Sequence, residues 1–158
     1  MPIKEVHGLA GRLHIELRDP QGRLVEQHRV NNLITLSGRQ LLAGLFTGSL
    51  QTPQLKIAVG GDSTATDLNN ASLGKPLDEA KASVAEISVG DYQGQPRVIA
   101  RITATLPATG KADAQVLQEA GIVASLAGKP DQLYNRVVFP LINRAGNLEM
   151  TLSWEVIF

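Results

Sequence analysis

The chain has no cysteine. Disulfides, thiolate nucleophiles and cysteine-ligated metals are therefore excluded, which suits a protein made and folded in a reducing interior. Net charge is missing as well. Fifteen Lys and Arg balance fifteen Asp and Glu over 158 residues, so nothing in the charge points to nucleic acid or to an anionic membrane surface. No apolar run approaches the length of a membrane span. The segment Met1 to His7 lacks the apolar centre of a signal peptide. The expectation is synthesis in a cytoplasm, with no nucleic-acid and no membrane partner.

Aromatic residues make up only 4% of the chain. Phe46, Tyr134, Phe139, Trp154 and Phe158 fall in or beside apolar runs and fit core positions. Tyr92, in a turn, is left as the one clear candidate for a sugar-stacking platform. Catalytic patterns are lacking too. There is no Gly-x-Ser-x-Gly elbow and no His-Glu-x-x-His metal helix. The expectation is therefore a protein that is not an enzyme, with no catalytic residues, no cofactor and no bound metal.

What is present is a strong strand pattern at the C-terminus. Leu148, Met150, Leu152, Trp154, Val156 and Phe158 occupy alternate positions, with Glu149, Thr151, Ser153 and Glu155 between them. A strand sends alternate side chains to opposite faces, so this run has one apolar and one polar face, broken only by Ile157. Burying six such side chains is worth on the order of 10 to 15 kcal/mol before chain entropy is subtracted. Upstream, residues 136–142 form a second apolar run, and the turn formers of residues 143–147 separate the two. The pair reads as a β-hairpin.

Read in order, the chain begins with a strand that places Leu13, Ile15 and Leu17 opposite Arg12, His14, Glu16 and Arg18. Asp19-Pro20-Gln21-Gly22 predicts a type I turn closed by a bulge glycine, with residues 23–30 returning. That register sets Leu17 opposite Val25 and His14 opposite His28. Ser37 and Gln40 form a capping-box pattern at the start of a helix over residues 37–47. Leu41, Leu42, Leu45 and Phe46 are its apolar stripe, and Gly48 its stop. Strands are expected over residues 55–59, 82–89, 97–106 and 118–126. Gly121 inside the last of these predicts a bulge or a close backbone approach. Residues 63–76 and 107–118 read as polar loops. The sum is a mainly β fold: β-sandwich-like antiparallel sheets of seven or eight strands with one main helix, in a single domain spanning residues 1–158.

Candidate sites are few. His14 and His28, as cross-strand neighbours, supply two imidazoles, but a zinc site needs three or four ligands, and only Glu16 or Glu26 lie near in sequence. Two solvated histidines are the simpler reading. Gly60-Gly61-Asp62 follows a strand like a phosphate-binding turn. No Gly-Lys-Ser/Thr and no helix come after it, so an ordinary turn is expected. The carboxylate pairs Asp78 with Glu79 and Glu149 with Glu155 could serve acid–base chemistry only if folding brings them into register; the latter two alternate with core positions and read as solvent-facing.

The order of features carries a resemblance. Residues 35–46 are a leucine-rich helix opened by Gly38-Arg39. Ile57-Ala58-Val59-Gly60-Gly61-Asp62 ends a strand. Glu119-Ala120-Gly121-Ile122 lies in another, and Thr151-Leu152-Ser153-Trp154 in the closing one. Over residues 33–158 this resembles tailed-bacteriophage structural proteins, including the N-terminal domains of tail-collar and tail-fibre proteins and baseplate proteins. The resemblance implies a non-enzymatic virion protein, made in the host cytoplasm, that acts as a tail or baseplate adaptor or fibre-attachment component. Its partners would be its own copies, in three- or six-fold rings, and other virion proteins. The alternatives are a capsid decoration protein and a carbohydrate- or receptor-binding β module at a tail tip. Residues 12–30 precede the region of resemblance, and the hairpin they form is expected to project as an assembly arm. The two polar loops are expected to be ordered by neighbouring subunits.

Overall fold

The computed structural model describes residues 8–158. Eleven strands and one helix follow in the order β1 (Ala10–Arg18), β2 (Leu24–Asn31), β3 (Leu33–Ile34), α1 (Leu36–Thr47), β4 (Gln54–Gly60), β5 (Pro76–Lys81), β6 (Ser83–Tyr92), β7 (Gln95–Leu106), β8 (Gln115–Ser125), β9 (Gln132–Leu133), β10 (Asn135–Arg144) and β11 (Glu149–Ile157). They form two antiparallel sheets. The first has the order β2-β1-β11-β7-β6; the second has the order β3-β10-β8-β4-β5, with β9 also paired to β8. The fold is thus mainly β and sandwich-like, with one helix. The eight expected strands are all present. β3 and β9 are two-residue bridges below the length at which a pattern can be read, and β5 begins at the end of a stretch that reads as loop.

One core joins the sheets. Leu13, Ile15 and Leu17 of β1, Met150, Leu152 and Trp154 of β11, and Ile102, Ala104 and Leu106 of β7 face Leu117, Ile122, Val137 and Ile142 of the other sheet. The alternation in β11 holds throughout, from Met150 to Val156. Trp154 is fully buried and its indole N–H donates to the Asn32 side-chain oxygen at 2.5 Å.

Three expectations are corrected. The N-terminal hairpin does not project. β1 lies between β2 and β11, paired with β11 from Ala10↔Ile157 to Arg18↔Glu149. Its apolar face is core, because Leu13, Ile15 and Leu17 can leave water only against the opposite sheet. Next, β10 and β11 are not a hairpin. They belong to different sheets, and residues 145–148 turn between the layers, with the Leu148 amide donating to the Ala145 carbonyl at 3.1 Å. Finally, the helix is capped by Thr35 rather than Ser37. The Thr35 hydroxyl accepts from the Gly38 amide at 3.1 Å. Gly48 ends the helix in the left-handed conformation as expected. The buried face of α1 carries Gly38, Leu41 and Gly44, whereas Phe46 is 94% exposed. Gly38 sets the helix position: a Cβ there would collide with the Tyr134 carbonyl.

The two long loops are tied down by hydrogen bonds from within the chain. Two arginines of β10, both buried, do this. Arg136 donates to Glu119 at 2.9 Å, to the Thr64 carbonyl at 2.9 Å and to the Asn70 side chain at 3.2 Å. Glu119 in turn accepts from the Lys75 and Gly74 amides at 2.7 and 3.0 Å. Residues 61–75 are thereby drawn over the outer face of the second sheet, where Leu73 packs with Ala58, Val123 and Leu133. Gly121 permits this layer; a Cβ there would stand 2.6 Å from the Asn135 carbonyl, the close approach its position implied. Arg144 clamps the two ends of the 107–114 loop, donating to the Leu106 carbonyl at 3.1 Å, to the Pro107 carbonyl and to Gln115 at 2.8 Å, while the Gly110 amide donates to the Gly146 carbonyl at 2.8 Å.

Candidate functional site

His14 and His28 are not brought together. The Asp19–Gly22 turn forms as expected: Gly22 has φ +79°, its amide donates to the Asp19 carbonyl at 2.9 Å, and the Asp19 carboxylate accepts from the Gln21 and Arg23 amides. These donors hold that carboxyl below the usual range. A second irregularity follows it. Arg18 pairs with Leu24 and Leu17 with Glu26, so Val25 is bulged out. The register moves by one residue, His14 faces Arg29, and His28 faces Ile15. A one-residue slip sends a side chain to the opposite face. His14 therefore lies on the outer face against Gln27 (3.2 Å), and His28 on the inner side against Glu26 (2.7 Å). Among the described residues no group of three or more His, Asp or Glu converges.

The phosphate-like turn at Gly60-Gly61-Asp62 is occupied by the protein itself. The amides of Asp62, Gly74 and Lys75 all point at the Glu119 carboxylate, which takes the place an anion would need. The carboxylate pairs are also engaged or apart. Asp78 faces Arg144 at 3.5 Å, Glu79 faces Lys56 at 3.0 Å, and Glu155 faces Arg12 at 3.2 Å. Glu149 is exposed, opposite Arg18 at the far end of β11 from Glu155. Tyr92 is no open platform. The guanidinium groups of Arg12 and Arg97 stand 5.3 and 5.7 Å from its ring centre, a cation–π arrangement that covers the ring.

Two concavities among the described residues stand out by volume. The first sheet carries one of mixed character, about 500 Å³, lined in part by Arg12, His14, Arg29, Arg101 and Glu155 and by the apolar Val30 and Ala85. Its charges are largely paired: Arg12 with Glu155, and Arg101 with Glu86 at 3.2 Å. The other, of about 480 Å³, is apolar. It opens between α1 and the two sheets, lined by Leu42, Leu45, Leu55, Val84, Val156 and Phe158, with Tyr134 among its walls. The Tyr134 hydroxyl has no protein partner, and burial pushes its pKa up to about 12.

This groove continues onto a bare sheet face. Along β7, Leu106, Ala104 and Ile102 are buried, Ala100 is half-buried, and Val98 is 44% exposed. The cross-strand pairs Val84↔Ile102, Ile87↔Ala100 and Val89↔Val98 put the β6 side chains on that same face. Ile87 is 69% and Val89 75% exposed. Phe158, whose amide donates to the Val98 carbonyl at 2.8 Å, completes the patch. The β6–β7 hairpin thus runs past the cover of the opposite sheet. Its tip is a two-residue turn with Gln93 and Gly94 both at positive φ, the geometry that matches strand twist. Its apolar alternation reads as ordinary core in the sequence, so these residues escaped notice as a surface.

Comparison with family models, curated proteins and solved structures finds no match for this chain.

Proposed function

We propose that the protein is a non-enzymatic structural component of a tailed-phage particle, a tail or baseplate adaptor or fibre-attachment piece, that works by presenting surfaces to other subunits. The observation that carries this reading is the uncovered apolar face of the β6–β7 hairpin, continuous with the groove beside α1. Monomeric proteins rarely leave a contiguous apolar patch of this kind without a binding role. The ordered motifs of residues 33–158 add the phage assignment. They lie where an adaptor needs rigidity: Gly38 at the helix–strand contact, Glu119 and Gly121 under the 61–75 loop, and Trp154 in the core.

Closed rings of three or six copies follow from the symmetry of phage tails, since head-to-tail contacts close into cyclic assemblies. The test is direct. Particles purified from a producing host are analysed by mass spectrometry for this chain, and the isolated protein is weighed by light scattering. Presence at a stoichiometric multiple of three or six supports the proposal. A chain missing from particles sinks it and moves a carbohydrate-binding module to first place, which a glycan array then examines.

A further inference from the structure

We infer that the groove between α1 and the two sheets binds a fatty carboxylate, a single acyl chain held by the apolar walls with its head group in the field of Arg39 and Lys81. Such a ligand belongs to the single chain and is independent of the assembly proposed above.

The groove reaches inward as well as along the surface. Leu42, Leu45, Leu55 and Val156 wall it, and so do the buried core residues Ile102 and Ile122, which places its inner end between the sheets. Its volume, about 480 Å³, lies within the range of small-molecule sites, roughly 300 to 1,000 Å³. A narrow, flexible chain can enter such a slot, and every methylene that leaves water there gains by the hydrophobic effect. At the surface the same chain meets Val84 and Phe158, which are 58% and 41% exposed.

Three polar groups define the rest of the ligand. Tyr134 is a wall of the groove and is 5% exposed, and its hydroxyl has no partner in the protein. A buried donor without an acceptor is costly, so a ligand oxygen seated beside it relieves that cost on binding. Lys81 lines the groove and is exposed. It stands opposite Lys56 of β4, and Lys56 takes the nearby Glu79 and Asp131 at 3.0 and 2.7 Å. Arg39 sits one turn before Leu42 on α1, within electrostatic reach of the Tyr134 hydroxyl. Among the described residues neither Lys81 nor Arg39 has an ion pair, and no Asp or Glu lines the groove. An apolar slot with a buried hydroxyl and two unpaired cations is complementary to an acyl chain ending in a carboxylate. A neutral chain leaves the cations unused, and a cationic one is repelled.

Decanoate is titrated into the full-length protein below its micelle concentration and followed by calorimetry. Decanol and decyltrimethylammonium serve as neutral and cationic chains of the same length. One decanoate per chain is expected, with a micromolar Kd, weaker binding of decanol and none of the cation. Octanoate, two methylenes shorter, should bind about tenfold more weakly if the chain is buried. The double variant Arg39→Gln, Lys81→Gln should lose about tenfold for decanoate and keep its affinity for decanol. Both side chains are exposed, so the fold is unaffected, as circular dichroism will verify. Tyr134→Phe should weaken decanoate and decanol alike, by about fivefold, while raising the Tm of the free protein. No binding of decanoate at millimolar concentration overturns the inference and leaves the groove to an apolar side chain of a partner protein. Equal affinity for the anionic and cationic chains overturns it too, as does a decanoate affinity unchanged in both the double variant and Tyr134→Phe. None of these results touches the particle assay, and a chain missing from particles would leave this site standing.

Discussion

Replacing Glu119 by alanine should be among the most damaging single changes in this protein. Glu119 is fully buried and bonds Arg136, itself 1% exposed. Removing one partner of a buried pair strands the other charge, at a cost of about 3 to 5 kcal/mol. The Gly74 and Lys75 amides lose their acceptor too. These two sit nearer solvent and can be partly rehydrated, so together they add about 1 kcal/mol. A loss of roughly 4 to 6 kcal/mol is a large share of the 5 to 15 kcal/mol that holds a domain folded. For a chain of this size it should lower Tm by roughly 10 to 20 °C. Damage should begin locally, because Arg136 and Glu119 together fasten residues 61–75 to the sheet. Hydrogen exchange by mass spectrometry should show those amides opening well before the core strands. Asp62→Ala is the control. Asp62 stands 3.7 Å from Arg136 and is partly exposed, so its loss should cost little. A Glu119→Ala protein that melts within about 2 °C of wild type, with the 61–75 amides still protected, would refute the reasoning.

Trp154→Ala should cost about 3 to 5 kcal/mol, since it empties a fully buried site and frees the Asn32 side chain; chemical denaturation checks it, and a near-wild-type midpoint counts against it. Tyr134→Phe should stabilise by about 1 kcal/mol, because it removes a buried hydroxyl that has no protein partner, and a loss of stability would mean the hydroxyl is satisfied. In the wild type, Tyr134 should ionise only near pH 12, read by absorbance at alkaline pH. Asp131 is held below the usual carboxylate range by its hydrogen bond to Lys56, at 2.7 Å. Its folded pKa is depressed, so its contribution is present above about pH 4 and is lost as pH falls through the folded value. Asp131→Asn should therefore be less stable than wild type at pH 7, with the gap closing at pH 3; an equal gap in urea titrations at both pH values would contradict this.

Several features were legible in the residues themselves because they are local. Alternation fixed the inward side chains of β11, β7 and β1, since a strand has a period of two whatever it packs against. Asp19 to Gly22 specified its turn, and Gly48 its helix end, because positive φ is costly for other residues. Gly121 signalled a close approach without saying to what. Tertiary structure decided the rest. Residues 143–147 would suit a hairpin or a crossing between layers equally well, and only the pairing of β10 with β8 and of β11 with β1 separates the two. The bulge at Val25 moved His28 to the other face from His14, a shift that no side chain in the strand announces. Arg136 and Arg144 look in sequence like surface charges. They are buried because the loops they hold close over them, and that closure depends on Glu119, Asn70, Leu106 and Pro107, 17 to 66 residues away in the chain. The bare face of β6–β7 is of the same kind. Its residues have the composition of a core strand, and whether a core strand is covered depends on how far the opposite sheet extends, a length set by other parts of the chain.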